Sequence, residues 1–185
     1  PISSTFHTYY MDVATGAPRY GNTQQGYADD SCWSRGQAWG IYGFLLSYIY
    51  TGDETMIALS KRLANYFLNR LPEDYVCHWD LALVGTDALR DSSSAAIAVC
   101  GLLELVKHLP VTDPDRERYL EWAKGIMSSL TKHYLMGKEE KGNGLLKHSV
   151  YHLASNKGVD ECASWGDYFY VEALVRFTQS WKLYW

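Results

Sequence analysis

Apolar positions along the chain gather into stretches separated by polar segments rich in glycine and serine. Residues 1–32 hold no sustained period, and Gly16, Pro18, Gly21, Asn22 and Gly26 punctuate them as loop or short strand. Residues 33–50 are strongly apolar and predict a helix, with Asp30 or Ser31 placed as its N-cap. Thr51-Gly52-Asp53 stops that helix and opens another to about Asn69, with Ile57, Leu59, Leu63, Tyr66 and Phe67 mostly on one side. The two form an αα-hairpin with a tight turn. Residues 71–89 are irregular again. Asp91-Ser92-Ser93 then caps a helix through about His108, which Pro110 ends. Thr112-Asp113-Pro114 starts the next, since proline is tolerated in a first turn, and this helix reaches about Tyr134. Residues 136–164 are a third polar stretch, and 166–183 read as a last helix. Strand-like patterns are confined to short pieces near 75–79 and 145–150.

Trp33, Ser93 and Trp165 recur at intervals of roughly 60 to 70 residues, a weak internal repeat of long connection, inner helix, short turn and outer helix. Gly36, Ala38, Gly40 and Gly43 allow close helix approach, at some cost in helix propensity. The expected class is all-α, with the long connections gathered on one rim.

Composition narrows the function less than the pattern does. The 185 residues are 47% hydrophobic and 21% charged with a formal net charge of -4, which argues mildly against nucleic acid as a partner. The best apolar run, 41–50, is too short to span a membrane. No signal peptide is visible, but the chain opens Pro1-Ile2-Ser3 without Met and reads as lacking upstream sequence. Cys32, Cys77, Cys100 and Cys162 form no CxxC pair and suit buried small hydrophobes, though their even number leaves disulfides open. The six histidines are dispersed with no metal-ligand spacing, so no metal or other cofactor is expected. Fifteen Tyr and seven Trp suit sugar stacking but, taken as a set, read first as helical core.

The richest candidate chemistry lies between Gln25 and Gly40. Arg35 and Trp39 are four apart and share a helix face within its first two turns. A guanidinium fork there suits a carboxylate or sulfate, and an indole beside it suits a sugar ring. Equally, Arg35 can pair with Asp29 or Asp30 while Trp39 fills the core. Spacing leaves both readings open.

The run QGYADDSCWSRGQAWG resembles the signature of the unsaturated glucuronyl hydrolases, glycoside hydrolase family 88. LPEDYVCHWDL followed by RDSSSAAIAVCGLLEL, and KGVDECASWGDYFYVEALVRF near the C-terminus, agree with it in order and register. The resemblance covers nearly the whole chain and implies the C-terminal part of a single (α/α)6-barrel catalytic domain, about half of the toroid. It implies hydration of the C4=C5 double bond of a terminal unsaturated uronic acid, after which the hemiketal collapses and the neighbouring sugar leaves. The family's two catalytic aspartates would lie upstream, so no catalytic acid is expected here and residues 1–185 alone are expected to be inactive. Asp29 and Asp30 are adjacent at a helix start and cannot flank a substrate from opposite sides.

Other family positions carry over. His7 matches a histidine near the unsaturated sugar. Gln25 matches a position contacting the uronate or orienting water. Arg35 and Trp39 match the sugar-binding subsite, and Thr23 is a weaker candidate in the same loop. His152, Ser155 and Lys157 align with a loop bearing on the second sugar. Members preferring sulfated substrates tend to carry Ser, Ser and Lys there, so His152 is a departure. Asp80, Arg90 and Asp91 read as structural, while Trp165 and Tyr168 can line the cleft or pack the last helix.

The implied partner is an unsaturated uronic-acid-terminated oligosaccharide of glycosaminoglycan type, with neither nucleic acid nor membrane involved. An unsaturated rhamnogalacturonyl hydrolase and a noncatalytic carbohydrate-binding half-barrel are the competing readings. A half-barrel leaves inner faces uncovered, which predicts association with the missing half or with a second copy. Family resemblance allows a bacterial cytoplasm or periplasm without choosing between them.

Overall fold

The computed structural model describes residues 3–183. Among these, β1 (Thr8–Met11) and β2 (Pro18–Asn22) precede helices α1 (Ser34–Thr51), α2 (Glu54–Leu68), α3 (Ser92–His108) and α4 (Pro114–Ser129). A π-helical turn (Leu130–Tyr134), strands β3 (Ser149–His152) and β4 (Lys157–Glu161), and α5 (Ser164–Thr178) complete the order. Helices α1, α3 and α5 lie side by side as an inner layer; α2 backs α1 and α4 backs α3. This is an arc of an α/α barrel, the fold that the resemblance implies, and its helical hairpins agree with the all-α pattern.

Local chemistry sets most boundaries. Gly52 adopts the left-handed conformation at φ 73° and returns its N–H to the Tyr48 carbonyl, ending α1. Asp53, Asp91 and Asp113 cap α2, α3 and α4, each accepting backbone N–H groups of the first turn. Asp113 also pairs with Lys61 at 2.7 Å, tying the two outer helices together. Every residue of α3 from Ser92 to Leu105 is buried, as a helix flanked on several sides requires.

Three expectations are corrected. Neither Asp30 nor Ser31 caps α1: its cap position is Trp33, which makes no side-chain cap bond, and Ser34 donates its N–H and hydroxyl to the Trp79 carbonyl from the 71–91 connection. Helix α5 begins two residues earlier and ends five residues earlier than 166–183. Its end follows from Gln179 turning extended, which lets the Trp181 ring lie against the Arg176 guanidinium at 5.1 Å. Strand structure is also richer than expected. β1 and β2 pair antiparallel with a bulge between Tyr10 and Met11. β3 and β4 pair with a bulge between Ser149 and Val150. The pieces near 75–79 and 145–150 form single bridges, His78 with Arg90 and Leu146 with Leu135, except where Ser149 opens β3.

The inner helices pack close. A Cβ at Gly101 would stand 2.9 Å from Ile41 Cγ2 and 3.2 Å from the Tyr42 backbone nitrogen. Below that contact, buried Arg176 bonds Glu172 through Nε at 2.9 Å and also pairs with Glu104, while the Tyr42 hydroxyl donates to Glu172 at 2.9 Å. One charged cluster thus links α1, α3 and α5. The four cysteines are free; Cys32, Cys77 and Cys100 are buried, and burial pushes the Cys32 thiol up to about 11. Helix faces at the ends of the arc stay open, with Val171 45% and Leu174 39% exposed on α5. No helix among the described residues is long and apolar enough to cross a membrane.

Gly101→Val should lower unfolding stability by about 1–3 kcal/mol, since the obstructing Tyr42 backbone cannot swing aside as a side chain could. Chemical denaturation checks this; an unchanged midpoint would show that the seam is looser than described.

Candidate functional site

The N-terminal ends of α1 and α3, the residue 23–31 loop and the β3–β4 hairpin meet on one rim. Buried carboxylates from the 71–91 connection organise them. Asp80, fully buried, accepts the Tyr27 N–H at 2.9 Å, the Ser31 hydroxyl at 2.6 Å and the Ala82 N–H at 3.0 Å, which holds the loop before α1 in place. Asp91 caps α3 and pairs with Arg35 Nη1 at 2.7 Å. Both act structurally, as read from the sequence.

Arg35 is 4% exposed. Besides Asp91, its Nη1 donates to the Val150 carbonyl at 2.9 Å and its Nη2 to the Tyr151 carbonyl at 3.0 Å. Trp33 and Trp165 cover its faces at 4.5 and 5.2 Å. The ion-pair partner is therefore neither Asp29 nor Asp30; Asp29 instead accepts the Thr23 N–H at 3.0 Å.

His7 joins this wall through Trp33, with ring centroids 4.4 Å apart. Its Nδ1 accepts the Gln24 and Gln25 N–H groups at 3.1 and 3.2 Å and stands 3.3 Å from the Thr23 hydroxyl. An accepting Nδ1 places the proton of the neutral ring on Nε2. Burial first, then the charges of Arg35 and His152, hold His7 below the ordinary histidine value. Gln25 Nε2 donates to the Tyr151 carbonyl at 2.6 Å. His152 Nε2 donates to the Gln24 carbonyl at 2.5 Å, leaving Nδ1 to accept the Ser155 hydroxyl at 2.5 Å. Lys157, exposed at the start of β4 and paired in register with His152, has no side-chain partner among the described residues.

His7, Thr23, Gln25, Arg35, His152 and Ser155 thus share one bonded network, and Lys157 stands at its edge. Trp39 lies farther down α1. It is 40% exposed and edge-on to Phe169 at 5.0 Å. It shares with His7 and Trp33 an open cavity of about 540 Å³ floored by Gly36, Gly40 and Gly43. The backbone is open at Gly43, whereas Trp33 covers Gly36, and Leu63 and Thr5 cover Gly40. No carboxylate lines this cavity among the described residues, and no group of three or more His, Cys, Asp or Glu is placed to hold a metal ion.

Sequence reasoning overlooked Trp33 as a site residue, although an indole two positions before Arg35 at the helix start was a usable signal. The roles of Val150 and Tyr151 had no signal, because they act through backbone carbonyls more than a hundred residues away from Arg35.

His7 also yields a pH dependence. The unfolded chain takes up a proton near the ordinary value, about 6.5, whereas the folded site resists it. The unfolded state then binds more protons, so this contribution to stability is present above that value and declines as pH falls through it. His7→Gln should flatten the fall in melting temperature between about pH 7.5 and 5.5. Identical slopes in parent and variant would disprove the burial effect.

No family model matches the sequence. The chain is 51% identical over 184 residues to an unsaturated chondroitin disaccharide hydrolase of Streptococcus pneumoniae, covering 99% of this chain and 46% of that protein. It is 40% identical over 183 residues to an unsaturated glucuronyl hydrolase of a Bacillus species, covering 98% of the chain and 48% of the relative. A crystal structure of a mutant unsaturated glucuronyl hydrolase from Streptococcus agalactiae, complexed with dGlcA-GalNAc6S, superposes with a TM-score of 0.89 at 51% identity, over 100% of this chain and 49% of that one. The Bacillus enzyme's structure, described as responsible for the degradation of glycosaminoglycan, gives 0.91 at 40% identity, over 96% of this chain and 48% of that one. The chain spans about half the length of the curated relatives it matches.

Proposed function

Since this chain belongs to the unsaturated glucuronyl hydrolase family, we propose that it builds the sugar-holding wall of a glycoside hydrolase acting on lyase-generated oligosaccharides. The reaction releases a terminal 4,5-unsaturated uronic acid by adding water across C4=C5; the hemiketal formed then opens and frees the neighbouring sugar. Proton transfer and water suffice, so no cofactor is invoked.

The observation carrying this reading is the network joining His7, Gln25, Arg35 and His152 beside the Trp33 and Trp39 indoles. Burial first, and then the nearby Arg35 charge, hold His7 below its ordinary value. His7 offers its Nε2–H to the uronic acid ring, and Gln25 and Thr23 set the loop that presents it. Trp39 offers a stacking face for the sugar. Ser155 and Lys157 bear on the second sugar, where the free ammonium suits a sulfate. His152 Nδ1 already accepts the hydrogen bond of the Ser155 hydroxyl, which leaves the Lys157 ammonium as the main donor to an anion in this loop.

No carboxyl group lines the cavity among the described residues, which is in keeping with a general acid and base supplied by another part of one barrel domain that would also cover the open faces of α1 and α5. The chondroitin- and glucuronyl-directed relatives favour this over a rhamnogalacturonyl substrate.

Turnover is read as loss of the double bond's ultraviolet absorbance with an unsaturated chondroitin disaccharide. The complete polypeptide carrying these residues should turn over and residues 1–185 alone should not; activity of the isolated piece would refute the placement of the acid. Trp39→Ala should raise KM about tenfold, and Lys157→Ala should do so for a sulfated but not an unsulfated disaccharide. Equal effects of Lys157→Ala on both would remove it from sulfate binding.

A further inference from the structure

We infer that Asp91 is a positioning residue which, through Arg35, fixes the β3–β4 hairpin beside the cleft and so sets how the second sugar is held. The inference rests on the functional reading above for its consequence, but not for its geometry.

The two oxygens of Asp91 divide their work. Oδ1 serves the helix, accepting the Ser93 and Ser94 N–H groups at 3.1 and 3.4 Å and the Ser93 hydroxyl at 2.5 Å. Oδ2 faces away from that cap and takes Arg35 Nη1 at 2.7 Å and the Ser94 hydroxyl at 2.8 Å. The same Nη1 also donates to the Val150 carbonyl at 2.9 Å, and Nη2 donates to the Tyr151 carbonyl at 3.0 Å. These are the two residues of β3 before His152, whose ring starts the line to Ser155 and Lys157. Other ties to the strand are neutral: Ser92 to Ser149 at 3.0 Å, Gln25 to Tyr151 at 2.6 Å and His152 to Gln24 at 2.5 Å. Among the described residues, the charged tie from the helices to this strand is that of Arg35. Trp33 and Trp165 pin its planar group, so it can turn neither toward another acceptor nor out to water without unpacking both rings. A buried guanidinium deprived of its counter-charge must seek water, and the strand loses both carbonyl anchors as it goes.

Asp91→Asn separates the roles. The amide oxygen can still cap α3, while an NH2 group replaces the oxygen facing Arg35. In the complete polypeptide carrying residues 1–185, amide hydrogen exchange across 148–162 should accelerate about tenfold while that of 92–108 stays within about twofold. KM for an unsaturated chondroitin disaccharide should rise about tenfold with kcat within about threefold. Equal acceleration in both segments, or none in 148–162, would reduce Asp91 to a helix cap and overturn the inference. An unchanged KM alongside a loosened hairpin would overturn its link to the second sugar. If the parent protein shows no turnover, the functional reading fails instead, and the exchange comparison still decides the strut. Should Asp91→Asn not fold, Arg35→Lys retains a charge for Asp91 but cannot span both carbonyls, and should reproduce the selective acceleration; normal exchange there would count against the strut.

Discussion

A single buried ion pair organises the rim. Arg35 enters from the first turn of one inner helix and Asp91 from the cap of the next, and their contact is shielded from water. Taking both charges out of water costs more than an isolated contact returns, so the pair persists only with its remaining hydrogen-bonding capacity filled. Serine hydroxyls and cap amides fill it on the aspartate, and two strand carbonyls on the arginine. Those same bonds join α1, α3 and β3. Satisfying a buried charge and assembling the site are one event.

The electrostatic consequence extends beyond the contact. Arg35 sits behind the indole of Trp33 and does not reach across the cleft, yet its charge helps keep His7 neutral. A neutral imidazole with a fixed tautomer donates from one known nitrogen, whereas a protonated ring would carry its own charge into the site. The wall therefore presents a directional donor whose orientation is fixed by the bonds at Nδ1. Lys157 adds a second positive charge farther along, on an exposed hairpin edge.

The helices beneath serve this arrangement by packing closely. Gly101 lets α3 meet α1 backbone to side chain, and Gly166 lets α5 approach Ser93, where a Cβ would stand 3.1 Å away. Such contacts bring the helix starts near enough for one guanidinium to bridge them. Lower down, the Arg176, Glu172, Glu104 and Tyr42 cluster demands one register among the three inner helices, since a slip by a turn would strand charges in the core. Specificity of packing and placement of the rim are thus coupled.

The helical order, the tight turn at Gly52 and the caps at Asp53, Asp91 and Asp113 were legible in the sequence, because each depends on neighbours within a few positions. Arg35 and Trp39 do lie on one helix, but Arg35 turns inward to Asp91 and the β3 carbonyls while Trp39 lines the open cavity. The start of α1 was not legible: its first turn is satisfied by the Trp79 carbonyl, 45 positions beyond Ser34, and no local residue reveals that. The partner of Arg35 was likewise hidden, since two nearby aspartates competed in sequence with one 56 positions away. Local periodicity and capping chemistry determine where helices form. Which buried charge finds which counter-charge depends on how those helices pack, and only the tertiary structure decided that.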